Sequence, residues 1–430
     1  MTSSAQQELF DVLIIGGGPV GGCAAGLFLT GSRGASRAMR IAVLEPTRPT
    51  APLPDAPFDA RVSTLSRASE RILQAAGAWE RMTLARVQPF ERMRVWHESV
   101  APASRDVLTF DAADAGEPNL GYVAENRLVQ TAVLDAFTAA GGLIVPGELG
   151  GLRVEDTHVE AQTSAGVLGA RLIVGADGSR SAVREAIGLT AETSSYGQIA
   201  IVANVATERS HEQCAWQRFL RTGTLAFLPL ADGSSSIVWS ADDAMADELL
   251  SADETEFARA LERQSDGALG AMQLKTERLS FPLRRLAAHR YTASRCALIG
   301  DAAHVVHPLA GQGVNLGLLD AAALAQIVLE GWAAREDPGA LGLLRRYERW
   351  RKSEAEVMRV AIDAFNRFLA HGSDPLSRLA QRGLAWVNRS QEVKRFFIAR
   401  ALGLAGELPR AARGDAATSA RAAAGAIRSG

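Results

Sequence analysis

The strongest constraint on the fold is a strand that leads directly into a glycine-rich turn near the N-terminus. Residues 9–15 (LFDVLII) form an apolar run of strand type, and residues 16–21 (GGGPVG) follow with the spacing G-x-G-x-x-G. A helix-compatible run at 23–29 and a second strand at 40–44 complete a βαβ unit that ends in Glu45. The sequence therefore predicts a Rossmann-like unit that binds a dinucleotide.

Each conspicuous residue of this unit has a predicted role. Gly16 allows the tight turn, Gly18 lets a pyrophosphate approach the backbone, and Gly21 permits close packing of helix on strand. The helix N-terminus attracts the phosphates, and Glu45 is placed to bind ribose hydroxyls. The pattern does not say which dinucleotide is bound.

A second motif lies in the stretch 296–320, CALIGDAAHVVHPLAGQGVNLGLLD. A short strand ends at Gly300 and Asp301, a glycine loop follows, and the apolar run 314–329 has helical length. Asp301 is predicted to accept hydrogen bonds from the ribityl hydroxyls of a flavin, while the glycines let the backbone approach a flat ring. The alternative is an ordinary glycine-rich turn before a buried helix.

A third motif is Asp177-Gly178 within LIVGADGSRSAVREAIG, where a strand feeds a polar turn and a helix. Alone, the pattern favours a plain Asp-Gly turn. The three motifs in this order resemble the group A flavin monooxygenases of the para-hydroxybenzoate hydroxylase type. That resemblance implies an α/β fold, with a Rossmann-like FAD-binding domain, an interleaved antiparallel β-sheet substrate domain and a helical C-terminal region.

One subfamily is indicated more specifically by the long signature HPLAGQGVNLG at 307–317, which continues to Asp320. With ENR at 125–127 and IVWS at 237–240, it resembles the ubiquinone-biosynthesis flavin hydroxylases. The resemblance implies that Pro308 lies beside the reacting edge of the isoalloxazine. It further implies that the flavin pyrimidine is bound by a loop made of Gly311, Gln312 and Gly313. Asn315 is implied to fix the start of the next helix.

Two arginines are candidates for contact with the cofactor. Arg61 precedes a predicted helix, and by resemblance it reaches the phosphates or the adenosine end, the alternative being a surface salt bridge. Arg127 is a similar candidate, or else a helix-surface arginine. For His304 and His307 we favour structural roles over a part in the chemistry, and we assign no catalytic residue and no general base.

Between about 190 and 281 the chain changes character, and short β-type segments such as IAIVANV, TLAFLPL and SSIVWS alternate with polar turns. This pattern predicts an antiparallel sheet that forms one wall of a substrate pocket. Phe227 and Pro229 are the candidate substrate residues, with a place in the core as the alternative. Trp239 is expected in the core.

Composition narrows the class of protein. The 430 residues allow two or three domains, and the net charge of −2 gives no case for nucleic-acid binding. The three cysteines show no CxxC or CxxH spacing, which predicts reduced thiols and no metal site. The N-terminus lacks a secretory pattern and no apolar run appears long enough to span a bilayer, so a cytoplasmic protein is expected.

The C-terminal region is basic. Residues 371–430 contain ten Arg or Lys and four Asp or Glu, and 10 − 4 gives +6. A basic amphipathic helix here suits contact with a membrane surface or a protein partner, and equally suits packing on the body of the protein. Beyond Arg413 the composition favours a flexible tail.

These observations divide the chain into interleaved parts. We expect FAD-binding segments at 1–80, 111–189 and 282–370, substrate-domain segments at 81–110 and 190–281, basic helices at 371–412 and a tail at 413–430.

The resemblance implies an FAD-dependent hydroxylase that uses NAD(P)H and O₂, without a metal, to insert oxygen into the ring of a polyprenylated phenol through a flavin C4a-hydroperoxide. With a single G-x-G-x-x-G, NAD(P)H is expected to bind transiently at the flavin site. Such an enzyme can work at the inner face of a membrane or in a quinone-biosynthesis complex. Two alternatives remain, a hydroxylase of a soluble aromatic compound and a non-catalytic flavoprotein scaffold. The ring position, the choice between NADH and NADPH, and the oligomeric state are not predicted.

Overall fold

The computed structural model describes residues 9–34, 37–82, 86–307, 313–370, 403 and 405–413, with the backbone alone for 359–370. Pro308, Gly311 and Gln312 lie outside the described residues. So do most of the predicted basic helices and the tail after Arg413.

The described residues form strands and helices in an interleaved order. The strands are β1 (Leu9–Ile15), β2 (Ile41–Leu44), β3 (Val62–Leu65), β4 (Gln88–Phe90), β5 (Arg92–His97), β6 (Leu108–Asp111), β7 (Gly121–Glu125), β8 (Leu143–Val145), β9 (Leu149–Val154), β10 (Val159–Thr163), β11 (Gly166–Gly175), β12 (Ala191–Thr207), β13 (Cys214–Leu220), β14 (Gly223–Pro229), β15 (Ser235–Asp242), β16 (Met272–Leu274), β17 (Leu279–Ala288), β18 (Thr292–Ala293), β19 (Cys296–Leu298) and β20 (His304–Val305). The helices are α1 (Pro19–Ser32), α2 (Arg67–Ala75), α3 (Trp79–Met82), α4 (Ala112–Ala115), α5 (Asn126–Ala139), α6 (Ala182–Ala186), α7 (Asp243–Ser251), α8 (Glu254–Gln264), α9 (Gly313–Ala333) and α10 (Leu341–Ala370), with 3-10 turns at Gly300–Ala302 and Arg410–Ala412.

The first sheet is the predicted Rossmann-like sheet. Its parallel core has the order β19-β11-β1-β2-β8, and β9, β10 and β18 extend it with antiparallel pairs. Val12, Leu13 and Ile14 of β1 are fully buried, as expected for a parallel strand covered on both faces. The predicted fold class is confirmed.

The second sheet has nine strands, in the order β20-β17-β12-β15-β14-β13-β5-β6 with β16 beside β12. All its pairs are antiparallel except that of β5 with β13. Strands β5 and β6, which come early in the chain, form one edge of this sheet. Helices α7 and α8 pack on one face. A third, small antiparallel sheet has the order β3-β7-β4.

Helix α9 is the one described helix whose length and apolarity would suffice to cross a membrane, yet 67% of its most apolar window is buried in the protein. It packs against α1, α2 and α10. That burial is typical of a core helix, and α9 carries the glycine-loop motif at its start.

The three cysteines are buried and none is paired in a disulfide. Burial raises the pKa of Cys214 to about 11 and of Cys296 to about 12, and it raises the pKa of Cys23 further. These thiols remain protonated and unreactive at neutral pH, since the thiolate is the nucleophile.

Candidate cofactor site

The fingerprint turn between β1 and α1 depends on its glycines for two different reasons. Gly16 has φ +100°, and a Cβ there would lie 2.5 Å from the carbonyl oxygen of Ala176. A Cβ on Gly21 would lie 2.0 Å from the carbonyl oxygen of Gly16. Around Gly18, by contrast, no atom lies within 4 Å of the Cβ position. The turn therefore leaves open space at the start of α1, where a helix N-terminus favours an anion.

Glu45 closes this turn from the end of β2. The backbone N–H of Gly17 donates to its Oε2 at 2.6 Å, and the N–H of Thr47 donates to its Oε1 at 3.3 Å. A carboxylate has about four acceptor positions, so capacity remains for the hydroxyls of a ribose. Glu45 lies where the sequence predicted it.

Gly300 and Asp301 lie just after β19 in a 3-10 turn, and Gly300 has φ +59°, which favours glycine. The Asp301 residue is exposed, but surrounding protein raises the pKa of its carboxyl, while the charges of His304 and Arg61 lower it. Because the Asp301 residue is exposed, its carboxylate is open to the hydroxyls of a ligand.

Arg61 and Arg127 are the two arginines predicted to contact the cofactor. The Arg61 guanidinium lies over the ring of Phe281, 5.2 Å from its centroid, and its charge acts on Asp301. The Nε of Arg127 lies 3.0 Å from Oδ2 of Asp59, two residues before Arg61. Arg61 is thus close to the predicted flavin motif, whereas Arg127 is engaged in a half-exposed ion pair.

Asp177 organises the turn after β11. Its carboxylate accepts from Ser181 Oγ at 2.6 Å and from the backbone N–H of Val183 at 3.0 Å, which caps α6. The same turn packs against Gly16, because the Cα of Asp177 lies 3.0 Å from the position of a Gly16 Cβ. A direct contact between Asp177 and a cofactor stays a prediction.

Asn315 ties the first turn of α9 to the β3–α2 junction. Its Oδ1 accepts from the N–H of Ser66 at 3.0 Å and from Ser69 Oγ at 2.6 Å, and its Nδ2 donates to the carbonyl of Thr64 at 2.9 Å. The side chain is buried. These contacts fix the start of the helix, and Gly313 is the first residue of that helix.

A buried acid with no role predicted from the sequence, Asp320, lies behind Gly300. Asp320 accepts from the N–H of Gly300 at 3.1 Å, from His304 Nε2 at 2.6 Å and from Arg351 Nε at 2.8 Å. His304 and Arg351 hold the pKa of Asp320 below its usual range against the effect of burial. The available signal was an aspartate within an apolar helix, since a buried charge needs partners.

His304 and His307 both make contacts within the protein. His304 donates to Asp320, as an ionised carboxylate can only accept. His307 Nε2 lies 3.0 Å from Oε1 of Gln198 and its ring lies edge-on to Tyr196. Both side chains are buried.

Phe227 lies on the sheet face away from these motifs. It packs with Trp239 and, from α8, with Phe257 in the core cluster beneath α7 and α8. Side chains alternate along a strand, so Pro229 shares this face while Ala226 and Leu228 point to the opposite face. The structure thus places Phe227 in the core, the alternative that the sequence left open, and Trp239 is core as expected.

Residues 9–359 match the FAD binding domain family. Ubiquinone hydroxylase UbiL of Rhodospirillum rubrum is 37% identical over 96% of this chain and 95% of its own length. The chain belongs to the ubiquinone-hydroxylase family of FAD-dependent monooxygenases. The 3-demethoxyubiquinol 3-hydroxylase of Escherichia coli is 33% identical over 92% of this chain and 98% of its length. Among solved structures, p-nitrophenol 4-monooxygenase PnpA from Pseudomonas putida has a TM-score of 0.73 at 20% identity, with 92% of this chain and 99% of that chain covered, which supports the fold alone.

The geometry fits the FAD of this family. Open space at Gly18 suits the pyrophosphate, the carboxylate of Glu45 beside the same turn suits the adenosine ribose, and the exposed Asp301 suits the ribityl hydroxyls. Arg61 adds a positive charge near Asp301. Asp320 contributes indirectly, by holding the backbone of Gly300.

Proposed function

We propose that this enzyme hydroxylates the ring of a polyprenylated phenol in ubiquinone biosynthesis, with NAD(P)H and O₂ as co-substrates. The observation that carries the proposal is that relatives named as ubiquinone hydroxylases or ubiquinone-biosynthesis monooxygenases match this chain over nearly their whole length. The signature from His307 to Asp320 and the complete set of flavin motifs support it.

The protein's own part in the reaction is to bind, orient and exclude water. Bound FAD would pass electrons from NAD(P)H to O₂ and so activate the oxygen that enters the ring. Gly18 and the start of α1 would hold the pyrophosphate, Glu45 the ribose and Asp301 the ribityl chain. Asp320, with its buried partners His304 and Arg351, forms a group that we call the Asp320 node. This node would keep the Gly300 backbone from shifting, since misplacement by about 1 Å can cost about 100-fold in rate.

The substrate ring would lie between the cofactor and the sheet face that carries Ala226 and Leu228. This face packs on the small sheet through a cluster that includes Leu228, Val238 and Phe58. An apolar enclosure of this kind excludes water and so limits wasteful release of oxygen. Remote binding of a prenyl tail would help hold the ring in place.

The reaction is tested with labelled dioxygen, NAD(P)H and a prenylphenol precursor. The expected product carries one labelled oxygen on the ring, with NAD(P)H consumption matched to product. Hydroxylation of an unprenylated phenol with tight coupling, and no labelled prenylphenol, would replace this proposal with the soluble-aromatic alternative. A protein that binds FAD and hydroxylates neither compound would favour the scaffold.

The ring position is read from a strain that lacks the gene. Lipid-quinone profiling should show one accumulated intermediate, and the unmodified ring carbon of that intermediate identifies the blocked step. A normal quinone profile in the deletion strain would argue against a role in this pathway.

We further propose that the basic region from 371 onward brings the enzyme to a membrane surface or a biosynthetic complex. The support is its net charge of +6, from ten basic and four acidic residues, together with interleaved aromatic residues. Replacing Arg382, Arg389, Lys394 and Arg395 with Glu should move the protein into the soluble fraction and leave FAD bound. An unchanged distribution would instead indicate packing on the protein's own body.

A further inference from the structure

A proline-rich segment connects Glu45 to the residues just before Arg61. Residues 46–57 read PTRPTAPLPDAP, and the structure has no helix or strand between β2 and β3, where every residue is described. Proline lacks a backbone N–H, so this segment cannot pair its own carbonyl oxygens in a helix or a sheet. Those oxygens are left to water or to donors from other parts of the protein.

One buried guanidinium, that of Arg86, supplies donors to this segment. Its Nη atoms donate to four backbone carbonyls, those of Leu53 at 3.0 Å, Pro54 at 3.1 Å, Ala56 at 2.7 Å and Pro57 at 3.2 Å. The same guanidinium lies 4.0 Å from the ring centroid of Phe58, a cation–π contact. Arg86 thereby fixes the chain immediately before Asp59.

Glu125 neutralises Arg86 and extends the contact to Asp59. Its Oε2 accepts from Arg86 Nε at 2.7 Å and its Oε1 accepts from Arg86 Nη2 at 2.9 Å, which is a bidentate pair. The side chains are 3% exposed for Arg86 and fully buried for Glu125. Glu125 Oε1 also accepts from the backbone N–H of Asp59 at 2.8 Å. The Arg86–Glu125 pair therefore holds Asp59 as well as the proline-rich segment.

Both arginines that are predicted to contact FAD are attached to this pair. Oδ2 of Asp59 lies 3.0 Å from Nε of Arg127. Arg61 stands two residues after Asp59, and its carbonyl accepts at 3.0 Å from the N–H of Asn126, the neighbour of Arg127. The positions of Arg61 and Arg127 are thus fixed relative to each other through Asp59 and Asn126.

The second sheet holds the same segment from another side. Nδ2 of Asn204, on β12, donates to the carbonyl of Phe58 at 2.8 Å and to that of Asp59 at 3.1 Å. Asn204 is buried. The chain around Asp59 is therefore held between the FAD-binding part, through Glu125, and the second sheet, through Asn204.

We propose that Arg86 and Glu125 are positioning residues that hold Arg61 and Arg127 in place for the phosphates of FAD. Guanidinium groups suit phosphate oxygens. If these two arginines stood on an untethered loop, FAD would have to order that loop on binding, at a cost in affinity. The proposal goes beyond the proposed function, since it concerns FAD binding and not the compound that is hydroxylated.

The test compares two buried arginines of the same kind. Arg295 is the matched control, because it also pairs with a carboxylate, that of Asp337, and donates to the backbone carbonyls of Asp156 and Arg171. Arg86→Lys and Arg295→Lys should both lower the melting temperature of the cofactor-free protein, since lysine lacks the planar fork that bridges several acceptors. Only Arg86→Lys should weaken FAD binding, by about tenfold. Flavin fluorescence titration measures it at a temperature where each variant is folded.

A double-mutant cycle separates positioning from a general loosening of the fold. Arg86→Lys is combined with Arg127→Ala, and in a second cycle with Arg61→Ala. If Arg86 acts through these arginines, the loss of FAD affinity in each double variant is smaller than the product of the two single losses. Should Arg86→Lys not fold, the same cycles are run with Glu125→Gln, which keeps the shape of the side chain and removes its charge.

Equal FAD affinity in wild type, Arg86→Lys and Arg295→Lys would overturn the proposal. Equal losses in the two lysine variants would do the same, because they would show an effect of stability alone. Losses that multiply in both cycles would show that Arg86 acts independently of Arg61 and Arg127, which also contradicts it. The titration needs no turnover, so its failure leaves the labelled-oxygen test of hydroxylation unaffected.

Discussion

His304 Nε2 lies 2.6 Å from a carboxylate oxygen of Asp320, and both side chains are buried directly behind Gly300. The other Asp320 oxygen accepts from Arg351, so one carboxylate joins the flavin motif to α9 and α10. Because three donors converge on it, Asp320 connects the position of the Asp301 turn to the packing of the two long helices.

Asp320→Asn should destabilise the enzyme by about 3 kcal/mol or more, because it leaves the buried charge of Arg351 without its counter-ion. Chemical denaturation at pH 7 measures the loss. Asp337→Asn is the control, since Asp337 pairs with Arg295 but its side chain is 36% exposed, and its loss should be clearly smaller. Equal losses would contradict a special role for the Asp320 node.

The same node has a defined pH dependence. The pKa of Asp320 is lowered in the folded protein, so its stabilising effect is present above the unfolded value of about 3.9 and is lost as pH falls through the lower folded value. The stability difference between wild type and Asp320→Asn should therefore shrink as the pH falls below about 4. Denaturation series at decreasing pH would show a constant difference if the carboxylate were not ionised in the fold.

Asp301→Asn should raise the stability of the cofactor-free protein and weaken the binding of FAD. The pKa of Asp301 is raised in the fold, so the ionised carboxylate destabilises the cofactor-free protein above the folded pKa, and this effect vanishes below about 3.9, where both states are protonated. We expect a higher melting temperature for the cofactor-free variant at pH 7 and weaker FAD binding, measured by flavin fluorescence. Unchanged FAD affinity would remove Asp301 from the site.

The fingerprint glycines give a matched pair of variants. Gly21→Ala should weaken both folding and FAD binding, because its Cβ would lie 2.0 Å from the carbonyl oxygen of Gly16. Gly18→Ala meets no protein atom within 4 Å, so the cofactor-free protein should melt like the wild type while FAD binding falls about tenfold. Thermal melting of the cofactor-free proteins and titration with FAD distinguish the two variants. Normal FAD affinity in Gly18→Ala would show that the pyrophosphate does not lie at Gly18.

The local motifs were predictable because their function depends on neighbouring residues in the sequence. Gly16, Gly21 and Glu45 lie where the strand–turn–helix pattern places them, since the turn itself requires those residues. Phe227 shows the limit of such a pattern. The alternation in TLAFLPL predicts that its side chains lie on two opposite faces of the sheet. Which face lies away from the flavin motifs depends on where α7 and α8 pack.

Contacts between residues that lie far apart in the chain could not be predicted from the sequence for a similar reason. Asp320 stands in the signature, but Arg351 follows 31 residues later on another helix, and the pairing depends on how α9 and α10 cross. The alignment of Leu279, Val202, Val238 and Ala226 across one face of the second sheet likewise needs the register of four strands, which no single strand contains. Periodicity predicts elements, and tertiary packing selects their contacts.

The segment 405–413 returns to the FAD-binding part of the protein. Trp350 Nε1 donates to the carbonyl of Glu407 at 3.0 Å, and the N–H of Arg410 donates to Gln326 Oε1 at 2.8 Å. Ala412 is fully buried, and Arg71 on α2 donates to its carbonyl at 3.5 Å. This segment therefore packs on α2, α9 and α10, the helices that surround the glycine-loop motif.

Two truncations test whether this packing stabilises the enzyme. Removal of residues 405–430 should lower the melting temperature of the FAD-loaded enzyme by several degrees, because it exposes the surface under Ala412 and removes the hydrogen bonds from Trp350 and Arg71. Removal of 414–430 alone spares every one of those contacts and should leave the melting temperature unchanged. Thermal melting monitored by flavin fluorescence compares the two, and equal melting temperatures for both truncations and the full chain would show that the returning segment contributes nothing to stability.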